Sequence, residues 1–312
     1  MPDIVTFTMN PALDVSTDVQ RVEPTHKMRC GAPRQHAGGG GINVARVIHR
    51  LGGSCIAFYP SGGATGQVLQ TLLTAEGVPQ HVHPIQGETR ESFSVRETQT
   101  GQEYRFVLPG PTLQDSDWQC AVDWLRQLTP SPRYVVASGS LAPGVPTDFY
   151  ARLATLAKKG GARFVIDSTG EPLKLALNTG VFLYKPSLRE LQELTGRSLE
   201  SAADQVAAAR VLINSGEVEV LALSLGERGA LLVTRDQAWQ AAPLAVPVMS
   251  AIGAGDSFVG GMLWALNDSH DLPTAFAYGV AAASAALLHP GTHLCQQSDV
   301  MALQHRVQIQ MV

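Results

Sequence analysis

The stretch RYVVASGSLAPGVPTDFYARLATLAKKGGARFVID (residues 133–167) decides the fold. It opens on Arg133 to Ser138, a short run rich in β-branched and aromatic residues that is apolar on both faces. After a turn rich in glycine and proline, Thr147 to Gly161 carries apolar residues at helical spacing, and a pair of glycines ends the pattern. A second two-sided apolar run, Arg163 to Asp167, closes the unit. Strands apolar on both faces need cover on both, and strand–helix–strand order supplies it by laying helices over a parallel pair.

The same unit repeats outward. IVTFT (4–8), CIAFY (55–59), VFLYK (181–185) and VEVLALS (218–224) are further strand-like runs. INVARVIHRLGG (42–53), GQVLQTLLTAEG (66–77) and ADQVAAARVLINSG (203–216) are amphipathic helical patterns. The alternation predicts an α/β fold with a doubly wound, mostly parallel sheet and helices on both faces. Two segments break the rhythm. ESFSVRE (91–97) and QEYRFVL (102–108) alternate polar and apolar residues around a turn at Gly101, which predicts an antiparallel hairpin with one wet face. Residues 14–36 are also extended in character. Together, strands from about 14–36 and 88–108 predict a small β-sheet lid over the mouth of the main sheet. No linker rich in Pro, Ser or Gly divides the chain, so 1–312 is predicted to be a single domain.

Hydrophobic residues make up 45% of the 312 and charged residues 16%, which places the chain among folded globular proteins. A formal net charge of −4 argues against a general nucleic-acid binder, yet a few placed arginines can still hold a phosphate. Cys30, Cys55, Cys120 and Cys295 form no CxxC pair, which favours reduced thiols and a cytoplasmic setting. The opening MPDIVTFTMN lacks the pattern of a signal peptide, and the longest nearly apolar stretch, Gly279 to Leu288, is about half a bilayer span. Neither a membrane nor a nucleic acid is expected as partner. His81 and His83 read as an exposed pair on a strand face, and Trp118, Trp124, Trp239 and Trp264 as packing residues.

The strongest chemical signal is Gly253-Ala254-Gly255-Asp256 running into the apolar helical pattern SFVGGMLWALN. A glycine-rich turn entering a helix leaves unpaired N–H groups at the positive dipole end, where anions bind. A carboxylate there can take a proton from a hydroxyl while the amides stabilise a transferring phosphoryl group. The same residue can also be a plain helix cap. Four glycines before a helix (Gly38 to Gly41) allow close backbone approach to a ligand, or serve packing alone. No GxxxxGK[ST] loop occurs, and the glycine run lacks the third glycine of a dinucleotide fingerprint. The loops Lys185-Pro186-Ser187 with Glu190, and Ser224 to Ala230, follow predicted strands at their carboxyl ends, where open α/β sheets bind ligands.

In their order, TMNPALD (8–14), GGGGINVA (38–45), SGSLAPG (138–144), DSTGE (167–171), KPSLRE (185–190), SLGERGA (224–230) and GAGDS (253–257) resemble the PfkB/ribokinase family of carbohydrate kinases over essentially the whole chain. AGGGGINVAR (37–46), HKMRCGAP (26–33) and GQEYRFVLPG (101–110) look most like the branch that phosphorylates fructose 6-phosphate. The alternatives are fructose 1-phosphate and tagatose 6-phosphate kinases, which carry a lysine where Gly40 stands. The resemblance implies ATP and Mg²⁺ as cofactors, and leaves potassium open. It implies Asp256 as catalytic base, with Gly253, Ala254 and Gly255 as anion hole. It implies sugar contacts from Asp14, Gly39, Gly40, Asn43 and Ser138, with Lys27 near the ligands and Arg90 and Arg105 on the substrate phosphate. For the nucleotide it implies Lys185, Ser187, Ser224, Gly226, Gly229 and Ser284, in a groove formed by loops 185–190, 224–230 and 279–292, and Glu190 linked to magnesium. It also implies a homodimer through the lid sheet. Ser187 replaces the family's usual asparagine, Ala251 a threonine, and His293 an arginine. The readings from other classes are a dinucleotide-dependent oxidoreductase and a non-catalytic sugar-phosphate sensor.

Overall fold

A ten-stranded sheet runs through the computed structural model, which describes residues 2–312. In chain order the strands are β1 (Ile4–Phe7), β2 (Ala12–Val19), β3 (Arg34–Gly38), β4 (Cys55–Ser61), β5 (Gln80–Pro84), β6 (Arg90–Glu97), β7 (Glu103–Val107), β8 (Tyr134–Ser138), β9 (Arg163–Asp167), β10 (Val181–Tyr184), β11 (Val218–Ser224), β12 (Ala230–Val233), β13 (Ala238–Ala241) and β14 (Ile309–Met311). The helices are α1 (Gly40–Arg50), α2 (Gly63–Ala75), α3 (Asp115–Gln127), α4 (Phe149–Lys159), α5 (Gly170–Leu177), α6 (Leu188–Thr195), α7 (Ala202–Asn214), α8 (Ala254–Asn267), α9 (Leu272–Ala286) and α10 (Gln297–Gln304).

The main sheet has the order β14-β13-β12-β11-β10-β9-β8-β1-β4-β5. From β11 to β5 every pairing is parallel, and β12, β13 and β14 add an antiparallel edge. Helices α1, α2, α8 and α9 cover one face and α3 to α7 the other, so the two-sided apolar strands are buried on both. The strand order runs one way from β1 to β4 and the other way from β1 to β8. That reversal opens a crevice at the carboxyl ends of β1 and β8.

A second sheet of order β3-β2-β6-β7 lies apart from the first. It is mixed, because β2 and β6 pair in parallel while the outer pairs are antiparallel. Residues 20–33, within the extended stretch expected from sequence, form no strand. The hairpin is present, but its faces are the reverse of a simple apolar-in rule. Ser92 and Ser94 are buried, whereas Phe93 and its cross-strand partner Phe106 are 38% and 55% exposed. Directly paired residues share a sheet face. Asp14 pairs with Ser92 and Arg105 with Ser94, and Arg90 lies two residues before Ser92. Asp14, Arg90 and Arg105 therefore project together on the face opposite Phe93 and Phe106. The inner face is polar because it lines a cleft.

Two smaller expectations are corrected. His81 and His83 are half-buried rather than exposed. His81 packs against both Phe58 and Trp124, and His83 Nε2 lies 3.1 Å from Asp117 Oδ1. Residues 279–286 belong to α9 and are not a loop, and only 287–292 of the expected segment is irregular.

Candidate active site

Helix α8 begins where the sequence places an anion site. Gly253 caps it in the left-handed conformation (φ 78°), and a Cβ there would run into Leu294. Among the described residues the backbone N–H groups of Gly255 and Asp256 have no acceptor, as the first turn of a helix dictates. Asp256 projects from that turn into the crevice. Asn43, on the first turn of α1, donates from Nδ2 to Asp256 Oδ2 at 2.9 Å. The Asp256 carboxyl is pushed up to about 7, first by burial and next by the charge of Asp167, with Asn43, Lys185 and Arg105 pulling the other way.

Lys185, 5% exposed at the end of β10, supplies the opposite charge. Its Nζ lies 3.2 Å from Asp167 Oδ2, and a Cβ placed on Gly255 would sit 3.2 Å from the same ammonium. Burial opposes the lysine charge, but the carboxylates of Asp167, Glu190 and Asp256 outweigh it and raise its pKa. Asp167 at the end of β9 is raised by burial in spite of Lys185. All three carboxylates act on this one ammonium.

Ser187 and Glu190 form a capping box on α6. The N–H and hydroxyl of Ser187 donate to Glu190 Oε2 at 2.7 and 2.8 Å, and Glu190 N–H donates back to Ser187 Oγ at 3.3 Å. The structure thus gives both residues a helix-capping task as well. Ser224 donates to the Pro186 carbonyl at 3.3 Å, tying the β11 loop to the β10 loop. Gly226 opens the short 3₁₀ turn beyond it and Gly229 caps its end. Ser284 is buried within α9 and donates to the Val280 carbonyl at 2.8 Å.

On the other side of Asp256, Gly39 caps α1 and Gly40 presses against β8, where a Cβ would overlap the Ser138 hydroxyl. Ser138 is only 2% exposed and acts as a backstop to that turn. Asp14, buried at the start of the small sheet, has its pKa raised by burial and moderated by Arg105, Arg46 and Arg90. Arg90 is held by the carbonyls of Asn10 (2.9 Å) and Leu108 (3.1 Å). Arg105 is exposed on β7, and Lys27 is exposed in the irregular segment between β2 and β3. Asn43, Asp167, Lys185 and Arg105 all act on Asp256, Arg105 acts on Asp14 as well, and Lys27 lies in the segment between β2 and β3.

Sequence reasoning missed four groups. Asp167 closes a strand inside the DSTGE motif but carried no assigned role. Arg46 is an arginine on the buried face of α1, fully enclosed and paired with Glu76 at 2.7 Å. Its one signal was a charge within the run Val44-Ala45-Arg46-Val47. Asn10 both holds Arg90 and donates to Ser140 Oγ at 3.1 Å. Glu103 accepts from Ser250 Oγ at 3.0 Å, joining the small sheet to the segment before Gly253.

Comparison with known proteins agrees with this geometry. The family model described as pfkB family carbohydrate kinase matches residues 8–299. An ATP-dependent 6-phosphofructokinase isozyme 2 of Mycobacterium tuberculosis is 46% identical over 299 residues, spanning 96% of this chain and 88% of that protein. Phosphofructokinase-2 from Escherichia coli, solved with fructose 6-phosphate and also with potassium, superposes with TM-scores of 0.92 at 39% identity, covering 98% of this chain and 99% of the other. A 1-phosphofructokinase of Xanthomonas campestris is 35% identical over 268 residues, 85% of this chain and 84% of that protein. A crevice at the strand carboxyl ends, a carboxylate at a glycine-capped helix start and a match over nearly the full length identify the chain as a member of the pfkB family of carbohydrate kinases.

Proposed function

We propose that the chain transfers the terminal phosphoryl group of ATP to the 1-hydroxyl of fructose 6-phosphate, with Asp256 as the general base. The observation that carries this reading is the Asp256 carboxyl, held at the N-terminus of α8 with a pKa near 7 and facing a sheet face that bears Asp14, Arg90 and Arg105. A base of that pKa is half ionised at neutral pH and still basic enough to accept a hydroxyl proton. As that proton passes to Asp256, the sugar oxygen forms its bond to the γ-phosphorus and the bond to the leaving phosphate oxygen breaks. Asn43 holds the receiving carboxylate in place, and Asp14 accepts from other sugar hydroxyls. Arg90 and Arg105 clamp the 6-phosphate, whose charge of about −1.5 to −2 two guanidinium groups nearly balance.

The residues at the nucleotide side fit ATP and Mg²⁺. The free N–H groups of α8 and the Lys185 ammonium suit phosphate oxygens. Asp167 and Glu190 are hard oxygen donors beside Lys185, the ligand type that magnesium takes together with phosphate oxygens. Magnesium, when bound, supplies neutralisation of phosphate charge. Ser187, Ser224, Gly226 and Gly229 line the nucleotide side, with Ser284 behind them. Potassium activation is proposed from the E. coli likeness alone, and replacing K⁺ by Na⁺ in the assay tests it. The exposed Phe93 and Phe106 on the outer face of the small sheet suit a second copy of the chain, and four free thiols suit the cytoplasm.

The second reading, a 1-phosphofructokinase, is favoured by the Xanthomonas relative. Packing of Gly40 against Ser138 speaks for the first, since no side chain fits at the position where the alternatives carry lysine. ADP release measured with fructose 6-phosphate, fructose 1-phosphate and tagatose 6-phosphate decides between them. The highest kcat/KM is expected for fructose 6-phosphate, and a higher value for either other sugar sinks the assignment.

A further inference from the structure

We infer that Arg46, locked in place by Glu76, is a positioning residue that fixes which end of the Asn43 carboxamide faces Asp256. This rests on the reading of Asp256 as the base and extends it to residues outside the cleft. Arg46 lies on α1 with no exposed surface. Its Nε donates to both Glu76 oxygens at 3.0 and 3.1 Å, and its Nη2 to Oε1 at 2.7 Å. Its Nη1 donates to the carbonyls of Ala37 (2.9 Å) and Thr292 (3.1 Å) and to Asn43 Oδ1 (3.2 Å).

A guanidinium has donors only, so the atom of Asn43 that faces it must be the amide oxygen. The amide nitrogen is then forced to the opposite side, where it donates to Asp256 Oδ2. Turning the amide over would set NH₂ against guanidinium and carbonyl against carboxylate, two repulsive contacts in a site with little water to soften them. An ionised Asp256, an acceptor only, favours the same orientation, but a protonated Asp256 can donate or accept, and then the donor-only Arg46 alone enforces it. Arg46 makes that choice in advance of any ligand.

Glu76 keeps the arginine from turning. It caps α2, half-buried, and takes a second guanidinium from Arg50 Nη2 at 2.9 Å. Arg50 Nη1 in turn donates to the carbonyls of His293 and Cys295. The pair of arginines thereby pins the 292–295 segment, whose Leu294 abuts Gly253. Removing one member of a buried ion pair leaves an uncompensated charge, so the arrangement is held firmly.

The test is the pH dependence of kcat and kcat/KM for the wild type, Arg46→Lys, Glu76→Gln, Asn43→Ala and the double variant Asn43→Ala/Arg46→Lys. The charged groups facing Asp256 are Asp167 from β9, Lys185 from β10 and Arg105 from β7. Those facing Arg46 are Glu76, Arg50 and Asp14. His36 and His293 lie near both arginines. Burial lowers each, His36 to about 4. Lysine keeps the positive charge but cannot hold Glu76 and the Asn43 oxygen at once. We expect Arg46→Lys to lower kcat on the order of tenfold to a hundredfold, as misplaced reacting groups do. Its acid limb moves to higher pH, in step with Asn43→Ala, while KM for ATP stays within about twofold, since the group lost serves the base and not nucleotide binding. The double variant is expected to match Asn43→Ala alone. Multiplying effects, or an unmoved pH limb in Arg46→Lys, overturn the inference. Glu76→Gln carries the same expectation should the lysine variant fail to fold. Asp256→Asn separates the two claims. If it is inactive while Arg46 and Asn43 act independently, only the positioning role fails, whereas near-normal turnover removes the base assignment and the inference with it.

Discussion

The floor of the crevice and the small sheet above it hold their working groups in opposite ways. On the floor, Asp256 is tied to Asn43, Lys185 to Asp167, and both sit over helices and strands buried on every side. On the small sheet Arg105 is exposed and Arg90 is fastened by two backbone carbonyls, while Lys27 is exposed in the segment between β2 and β3. Groups that move protons need fixed geometry before the substrate arrives, because reorganisation during the reaction would add to the barrier. Groups that recognise a mobile phosphate can wait in water and close on it. The proton-moving group is thus preorganised on the floor, whereas Arg105, which recognises phosphate, waits in solvent on the small sheet.

The largest effect should come from breaking the floor. Asp256→Asn is expected to lower kcat by about 10²–10⁴-fold, the usual worth of a general base, while ATP binding by calorimetry is retained. In the wild type, kcat/KM should rise with pH and reach half its plateau near 7, since the ionised carboxyl is the active form and its pKa is pushed up to about 7. The same shift has a consequence for stability. The unfolded chain releases this proton near the ordinary value of 3.8, and the folded chain holds it to about 7. The contribution of the group to stability is therefore present below 3.8 and falls as pH rises toward 7. Asp256→Asn is thus expected to melt above the wild type at pH 8, and an unchanged or lower melting temperature there would refute the burial of an ionised carboxylate.

The floor was also the more legible part. Gly253 to Asp256 reads as a helix-start anion site from residue types alone, because glycine takes the left-handed cap without strain and the helix pattern follows at once. The alternation of strands and helices likewise gave the parallel sheet, since two-sided apolar runs have few other solutions. The small sheet was legible in its period and not in its orientation. Alternation in Arg90–Glu97 says that the two faces differ, but not that the serines turn inward and Phe93 outward. That choice is made by the cleft and by what covers the outer face, neither of which is local in sequence. Arg46 was invisible for a related reason. A charge on a buried helix face reads as an error in the pattern until its carboxylate partner, thirty residues away, is brought beside it.

On the small sheet the expected effects are smaller and of another kind. Arg105→Ala should raise KM for fructose 6-phosphate about 10- to 100-fold, the range of one charge-assisted hydrogen bond, with kcat and KM for ATP little changed. An equal rise in both KM values would place Arg105 in general electrostatics and not in a phosphate clamp. The outer face gives a separate test. Phe106→Glu puts a charge where Phe106 is 55% exposed beside Phe93, and a dimer through this face should dissociate, as read by sedimentation. An assembly that survives the change unaltered is built on some other surface.

The smallest effect concerns the one residue pair that both regions' logic could claim. Ser187 and Glu190 stand at the nucleotide side of the floor, yet they satisfy each other as a capping box on α6. If capping is the whole task of Ser187, Ser187→Ala should cost about 1 kcal/mol in denaturant unfolding and leave kcat within twofold, the ordinary loss for an N-cap. Glu190→Gln separates the roles more sharply, because glutamine keeps the reciprocal contact of a capping box while removing the charge. It should leave stability nearly unchanged and raise the magnesium concentration needed for half-maximal activity, since hard cations prefer ionised oxygen. An unmoved magnesium requirement would make Glu190 a cap alone and shift the metal-binding burden to Asp167, whose side chain has Lys185 as its partner within the floor.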